Sequence, residues 1–247
     1  MGSTRLRAIL SDIHGNLEAL QAVLRDAALQ GVEAVYCLGD LVGFGPSPRE
    51  CVEAAMRWQV VLQGDYDHRA VFGSGDESPW ARRADAWTRG QLGAAGGRPL
   101  EFLAGLRPKH REGDFLFVHA SPRDPLREFV FPEEIYNRLM MERLFAAVGR
   151  YCLVGHTHVP GVFTEDFQYL TPEEVGHVYR LGGGKALVNV GSVGQPRDGD
   201  WRACYALLDG DAVRFRRVEY DVEATVRKVW DSAGLDPRLG ERLRKGR

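Results

Sequence analysis

The chain has 247 residues, a hydrophobic fraction of 44%, a charged fraction of 27% and a formal net charge of -2. Such a balance describes a globular chain with an ordinary core and excludes disorder over most of its length. With a pI near 6.4, it gives no case for nucleic acid as the main partner, since such binding normally leaves a basic face.

In chain order, the N-terminal "MGSTRLRAIL" reaches polar "SDIHGN" after four apolar residues. We therefore expect neither a signal peptide nor a membrane span, no membrane partner, and a cytoplasmic protein. Leu6 to Leu10 reads as a strand. Asn16 to Gln30 has apolar residues at helical spacing, with Asn16 suited to the N-cap and Gly31 to the stop. "EAVYCLG" and "QVVLQG" read as further strands, separated by a helix around "PRECVEAAMRW", an order that implies parallel pairing. The middle is more helical, around "WARRADAWTRGQL" and "PEEIYNRLMMERLFAAV", with a hairpin where "REGD" separates "RPKH" from "FLFVHA". Strand-like "YCLVGHTH" and "KALVNVGS" follow, then a hairpin in "CYALLDGDAVRFRRVEY" turned at Asp209-Gly210-Asp211. The chain closes with helix-like "DVEATVRKVWDSAG" and a basic tail, "RLGERLRKGR", expected as a solvated end. One domain over 1–247 is expected, with its core over about 6–220 and the C-terminal helix and tail over 221–247.

Cys37, Cys51, Cys152 and Cys204 form no CxxC pair, which removes the zinc-ribbon and redox readings. Three of them sit in apolar strand-like runs, where a free cysteine is expected to behave as a small buried hydrophobe.

The chemistry gathers where strands end. "LSDIHGN" sets Asp12 and His14 two apart after the first strand, and "CLGDLVG" sets Asp40 after the second. "LQGDYDH" follows the third; "LFVHASP" places His119, and "LVGHTHVP" places His156 and His158 two apart. Residues at i and i+2 of an extended chain point to one side, and ligands of open α/β sheets bind beyond the carboxyl ends of strands. A lone Asp or His after a strand is usually a turn former, but five such motifs in order call for a common purpose. Carboxylate and imidazole together suit divalent Mn, Fe or Zn. Two ions roughly 3.5 to 4 Å apart can share a carboxylate and clamp both oxygens of a phosphoryl displacement. His110 and His177 lie outside the motifs and are expected as surface or loop histidines.

With these motifs in place, "DIHGN", "GDLVGFGP", "GDYDH", "VHASP" and "GHTH" resemble the ordered signature of the calcineurin-like metallophosphoesterase superfamily. The later "NVGSVGQPRDGD" is similar to a segment of its small prokaryotic phosphodiesterase branch. The resemblance covers about Leu6 to Leu208 and implies an α/β fold, a four-layer α/β/β/α sandwich of two mixed sheets flanked by helices. It also implies two divalent metal ions: Asp12, His14 and His158 hold the first, Asp65, His119 and His156 the second, and Asp40 bridges both. The implied activity is hydrolysis of phosphodiester or small nucleotide-like phosphate bonds. A bridging water of lowered pKa would supply hydroxide in line at phosphorus, with Asp12, Asp40 and His119 central to catalysis. The implied partner is a small phosphate-ester substrate; a homo-oligomer stays open. Arg197, in "QPRD", is a candidate phosphate contact and equally a surface arginine.

Two positions depart from the resemblance. The family motif reads Gly-Asn-His followed by Asp or Glu, its Asn giving oxygen to the second metal and NH2 to the phosphate. Here that position is Asp65, which can ligate but cannot donate, and which adds charge beside an anionic substrate. At an effective dielectric of about 20, two unit charges 4 Å apart interact by about 4 kcal/mol. Tyr66 stands at the family His, the expected general acid. Tyrosine titrates near pH 10, so it is the poorer acid. His68 is a substitute or simply a histidine near a helix start. The second reading these departures leave open is a decayed superfamily member serving as a binding scaffold.

Overall fold

The computed structural model describes residues 5–73, 79–94 and 96–247; Met1 to Thr4 of the N-terminal run lie outside the described residues. β1 (Arg7–Leu10), α1 (Leu17–Leu29), β2 (Ala34–Cys37), α2 (Pro48–Ala55) and β3 (Val60–Val61) form the expected parallel crossover units. The Asn16 side chain caps α1 by accepting from Ala19 N at 3.1 Å, and Gly31 leaves it at φ +75°. α3 (Asp65–Phe72), α4 (Pro79–Gly93) and α5 (Arg98–Ala104) come next. The hairpin of β4 (Lys109–Glu112) and β5 (Phe115–Val118) turns on Gly113-Asp114. α6 (Arg138–Ala147), β6 (Tyr151–Val154), β7 (Gly161–Thr164), β8 (Tyr169–Leu170), β9 (Val178–Arg180) and β10 (Ala186–Asn189) lead to the last hairpin, β11 (Ala203–Leu208) and β12 (Ala212–Val218). α7 (Val222–Asp231) and α8 (Arg238–Leu243) end the chain.

The strands make two six-stranded mixed sheets, β3-β2-β1-β11-β12-β9 and β4-β5-β6-β10-β7-β8. Strands apolar on both faces fix the layering, because the pleat sends alternate residues to opposite sides. In β1, Ile9 faces the core between the sheets while Ala8 and Leu10 face α1 and α2. In β5 and β6, Phe117, Tyr151 and Leu153 enter that same inter-sheet core, while Leu116, Val118, Cys152 and Val154 meet Met141, Leu144 and Phe145 of α6. The result is helix, sheet, sheet, helix, the architecture expected from the resemblance. All four cysteines are free and buried.

Several expectations need revision. The strand expected over "QVVLQG" is shorter than that run: β3 is two residues long, and a helix starts at Asp65 with Gly64 at its N-cap. The long helical run after Pro132 breaks at Asn137, whose side chain accepts from Met140 N and starts α6 afresh after a 3-10 turn. The basic tail is not a solvated end. Arg238–Leu243 is helical with Leu239 and Leu243 buried, and its arginines point outward from that apolar anchor. His110 is on β4, half-buried beside the Tyr36 and Phe117 rings; His177 is exposed between β8 and β9, as expected. No helix among the described residues is long and apolar enough to cross a membrane.

Candidate metal centre

β1, β2 and β3 run parallel in one sheet, as do β5 and β6 in the other. Their carboxyl ends therefore meet at one edge of the sandwich. Asp12 and His14 follow β1, Asp40 follows β2, Asp65 begins the helix after β3, His119 follows β5, and His156 and His158 follow β6. They converge into two groups: Asp12, His14 and His158 in one, Asp40, Asp65, His119 and His156 in the other, with the ligand atoms within each group lying inside 4.8 Å of one another.

The i, i+2 pairs do meet, though not as extended chain. Asp12, His14, Asp40, His156 and His158 have φ of +54, +48, +55, +66 and +64°. This left-handed conformation costs a non-glycine residue on the order of 1–3 kcal/mol and persists only where the surroundings over-determine it. Those surroundings are visible. Asp12 N donates to Gly39 O and His14 N to Asp40 O; His156 N donates to Asp12 Oδ2 at 3.0 Å. Asn189 Nδ2 donates to Gly155 O at 2.7 Å and Thr157 Oγ1 at 2.8 Å, and Ser192 Oγ donates to Asp12 O at 2.8 Å. The "NVGSVGQ" segment thus clamps two of the ligand-bearing loops. Gly155 and Gly64 permit the close approach, since a Cβ on the first would strike Ser11 and Asp12 and on the second Asp40.

The imidazoles are oriented from behind. His14 Nδ1 donates to Val42 O at 3.0 Å and His158 Nδ1 to Gln195 O at 2.6 Å. A carbonyl only accepts, so both Nε2 atoms carry lone pairs. These lone pairs face each other across 3.1 Å, with Asp12 Oδ1 at 3.2 Å from His158 Nε2. In the other group His156 Nε2 donates to Arg127 O at 3.3 Å, leaving the Nδ1 lone pair 3.1 Å from His119 Nε2 and 3.2 Å from Asp65 Oδ1. Asp40 lies between: its Oδ2 is 3.6 Å from His14 Nε2 and 3.5 Å from His119 Nε2.

Facing acceptors repel unless something positive sits between them. Asp12 Oδ1, which faces His158 Nε2, is buried without a hydrogen-bond partner, and an orphaned buried polar atom requires an explanation. Burial, reinforced by the Asp65, Asp67 and Asp12 charges, drives the Asp40 carboxyl well above its ordinary range. Burial and the neighbouring His158 hold His14 well below its own, keeping it neutral, the form a ligand needs. Burial acts the same way on His158. A donor set of carboxylates and imidazoles gathered this closely, with His14 and His158 held neutral, fits divalent cations of the Mn, Fe or Zn type.

The candidate acids fare differently. Tyr66 packs edge-on to His14 at 5.3 Å and against Phe44 at 4.5 Å. Burial pushes its phenol up from 10.0, so it is a still weaker acid than an exposed tyrosine. His68 points away from both groups, towards Gln63 at 3.3 Å and the Phe72 ring. Arg197 comes close: its backbone N donates to His158 O, its Nη2 donates to Gln195 Oε1 at 2.9 Å, and its guanidinium lies over Phe44. Asp67, which the sequence reading passed over, accepts from Gly64 N and Val42 N at 3.1 and 3.2 Å. It ties the Asp40 loop to the start of α3; its place three residues after a helix-capping Gly was the available signal.

A family model described as the calcineurin-like phosphoesterase superfamily domain matches residues 6–212. An uncharacterized protein of Methanocaldococcus jannaschii is 35% identical over 97% of this chain and 98% of its own. A metallophosphoesterase structure from Sphaerobacter thermophilus superposes with a TM-score of 0.83 at 36% identity, covering 98% of this chain and 99% of the other. A hypothetical protein of Pyrococcus horikoshii gives 0.76 at 24% identity, with 98% of each chain covered. On the ordered motifs, the two-sheet sandwich and these likenesses together, the chain belongs to the calcineurin-like phosphoesterase superfamily.

Proposed function

We propose that the protein is a metal-dependent phosphoric ester hydrolase acting on phosphodiesters or small nucleotide-like phosphates. Asp12, His14 and His158 would hold one divalent ion, Asp65, His119 and His156 a second, and Asp40 would bridge the two. The observation that carries this reading is the position of Asp40 Oδ2, near-equidistant from a nitrogen of each group. When bound, two such ions supply a nucleophile at neutral pH and neutralise the charge of an in-line phosphoryl displacement.

The chain's own residues do the rest. Val42 O, Gln195 O and Arg127 O fix imidazole orientation and tautomer, the contribution outer partners make at metal sites. Arg197 brings a guanidinium whose buried Nε has no partner of its own, suited to a phosphate oxygen. Tyr66 orients His14 by packing and does not donate a proton at neutral pH. Since His68 faces elsewhere, leaving groups must depart with little help. Esters of acidic phenols should therefore be hydrolysed far faster than alkyl esters, a steep leaving-group dependence read from a series of aryl and alkyl phosphodiesters.

The direct test combines metal analysis with hydrolysis of bis(p-nitrophenyl) phosphate in added Mn2+. Near two ions per chain and chelator-sensitive turnover are expected. A metal-loaded protein that hydrolyses neither a phosphomonoester nor a diester would overturn the reading. The scaffold alternative predicts substoichiometric metal and indifference to chelator.

A further inference from the structure

The segment Glu128–Phe131 alternates. Val130 is buried against α6, while Phe129 and Phe131 point outward, 45% and 42% exposed. Their rings lie 5.4 Å apart with planes only 4° from parallel, an offset stack. Phe129 in turn stacks on His156, 3.9 Å between centroids and 23° between planes. Three planar rings thus form a column that starts at the centre and ends in solvent. Exposed apolar rings arranged in register, rather than scattered, mark a binding surface. The Asp65 side of the centre, where the column begins, is also the side open to solvent, with Asp65 itself 20% exposed.

We propose that Phe129 and Phe131 form a stacking platform for the planar base of a nucleotide substrate, and so select phosphate esters that carry a nucleobase over those that carry only a sugar or alkyl group. The column supplies π-faces and no hydrogen-bond donors, so it tolerates any base. This rests on the hydrolase reading for where the phosphate sits, and on the rings alone for where the base sits.

AMP and ribose 5-phosphate share phosphate and sugar and differ by the base. Their affinities for the Mn2+-loaded protein, measured by calorimetry, isolate the platform without requiring turnover. AMP should bind about tenfold to a hundredfold more tightly, the range of one base stacked on an aromatic side chain. Phe129→Leu combined with Phe131→Leu keeps the apolar volume but removes both rings, and should leave AMP bound little better than ribose 5-phosphate; Phe131→Leu alone, which leaves the Phe129 ring, should reduce the preference only in part. Equal binding of the two ligands by the native protein would overturn the proposal, as would a preference that survives loss of both rings. So would a dimer held through these rings, seen as a fall in sedimenting mass in Phe131→Ala. Equal binding together with active diester hydrolysis removes the platform and leaves the hydrolase. A base preference without hydrolysis does the reverse.

Discussion

The two groups of side chains that meet at Asp40 lie in unlike surroundings. Asp12, His14 and His158 are buried, and a narrow cavity beside His14 is lined by Phe44 and by Leu239 and Leu243 of α8. In the other group His119 is just as buried, but Asp65 is partly exposed and His156 lies under the half-exposed Phe129 ring. The backbone differs as well: each residue of the enclosed group has a left-handed φ, whereas of Asp65, His119 and His156 only His156 does. Strained, over-determined backbone holds a geometry fixed. One side of the centre is therefore built into the scaffold, and the other is where a ligand can enter. Asp65 and Tyr66, the two departures from the family motif, are neighbours at the start of α3, yet the Asp65 side chain faces the open side while the Tyr66 ring packs on His14 of the enclosed one.

The largest break in this contrast is at the residue joining the two sides. Asp40→Asn should lower kcat/KM for an aryl phosphodiester on the order of 10³-fold, with metal content falling below two per chain. Retention of both ions at near-native turnover would show that Asp40 joins nothing. Removing part of the enclosure comes next. Leu243→Ala should cost about 2–5 kcal/mol, as for a buried leucine truncated beside packed neighbours, read from denaturant unfolding. Metal release to a chelator should then be biphasic in the native protein, the slow phase belonging to the enclosed side. Leu243→Ala should speed that phase alone; a single phase in the native protein would mean the two sides do not differ in access.

How much of this was legible in the sequence follows the same division. Asp12, His14, Asp40, His119, His156 and His158 could be found because each follows an apolar run whose period fixes where the strand ends. Their left-handed backbone could not, since it is imposed by hydrogen bonds from distant segments such as Asn189 to Gly155 and Ser192 to Asp12. The sheets were foreseeable from strands apolar on both faces, but β7, β8 and β9 were not. They are short, and partly polar in β8 and β9, and they exist as strands through their partners. α8 has the composition of a solvated tail because arginines dominate it, while two leucines four apart decide its packing. The Phe129–Phe131 pair gave no signal, as alternation around a single buried valine looks like any short loop.

A carboxylate outside both sides offers a control. Asp26 accepts from Tyr205 Oη at 2.6 Å and from two nitrogens of Arg216 at 3.1 and 2.7 Å. Burial would raise its pKa from 3.8, but the Arg216 and Tyr205 hydrogen bonds outweigh this and hold it lower. A folded pKa below the unfolded one contributes stability above about pH 3.8 that is lost as pH falls through the folded value. Asp26→Asn should thus cost about 1–2 kcal/mol at pH 7, with the deficit closing in acid and metal content unchanged. A change in metal content would mean that the centre feels the whole scaffold rather than its own loops.

The smallest expected effect is the most telling about the open side. Asp65 Oδ1 faces the second group's nitrogens, His119 Nε2 and His156 Nδ1, at 3.3 and 3.2 Å, which assigns it the ligating role and leaves the second carboxylate oxygen for an entering phosphate. An oxygen there repels an anion; an amide NH2 in its place would donate to it. Asp65→Asn keeps the ligating oxygen and exchanges repulsion for one hydrogen bond worth about 1 kcal/mol, so kcat/KM for a phosphate ester should rise about fivefold. The gain should appear mainly in KM, because the bond is made to the phosphate already in the ground state. An unchanged or lower value would show that aspartate is the working residue here. The added negative charge would then be tuning how tightly the open side holds its metal rather than how well it holds substrate.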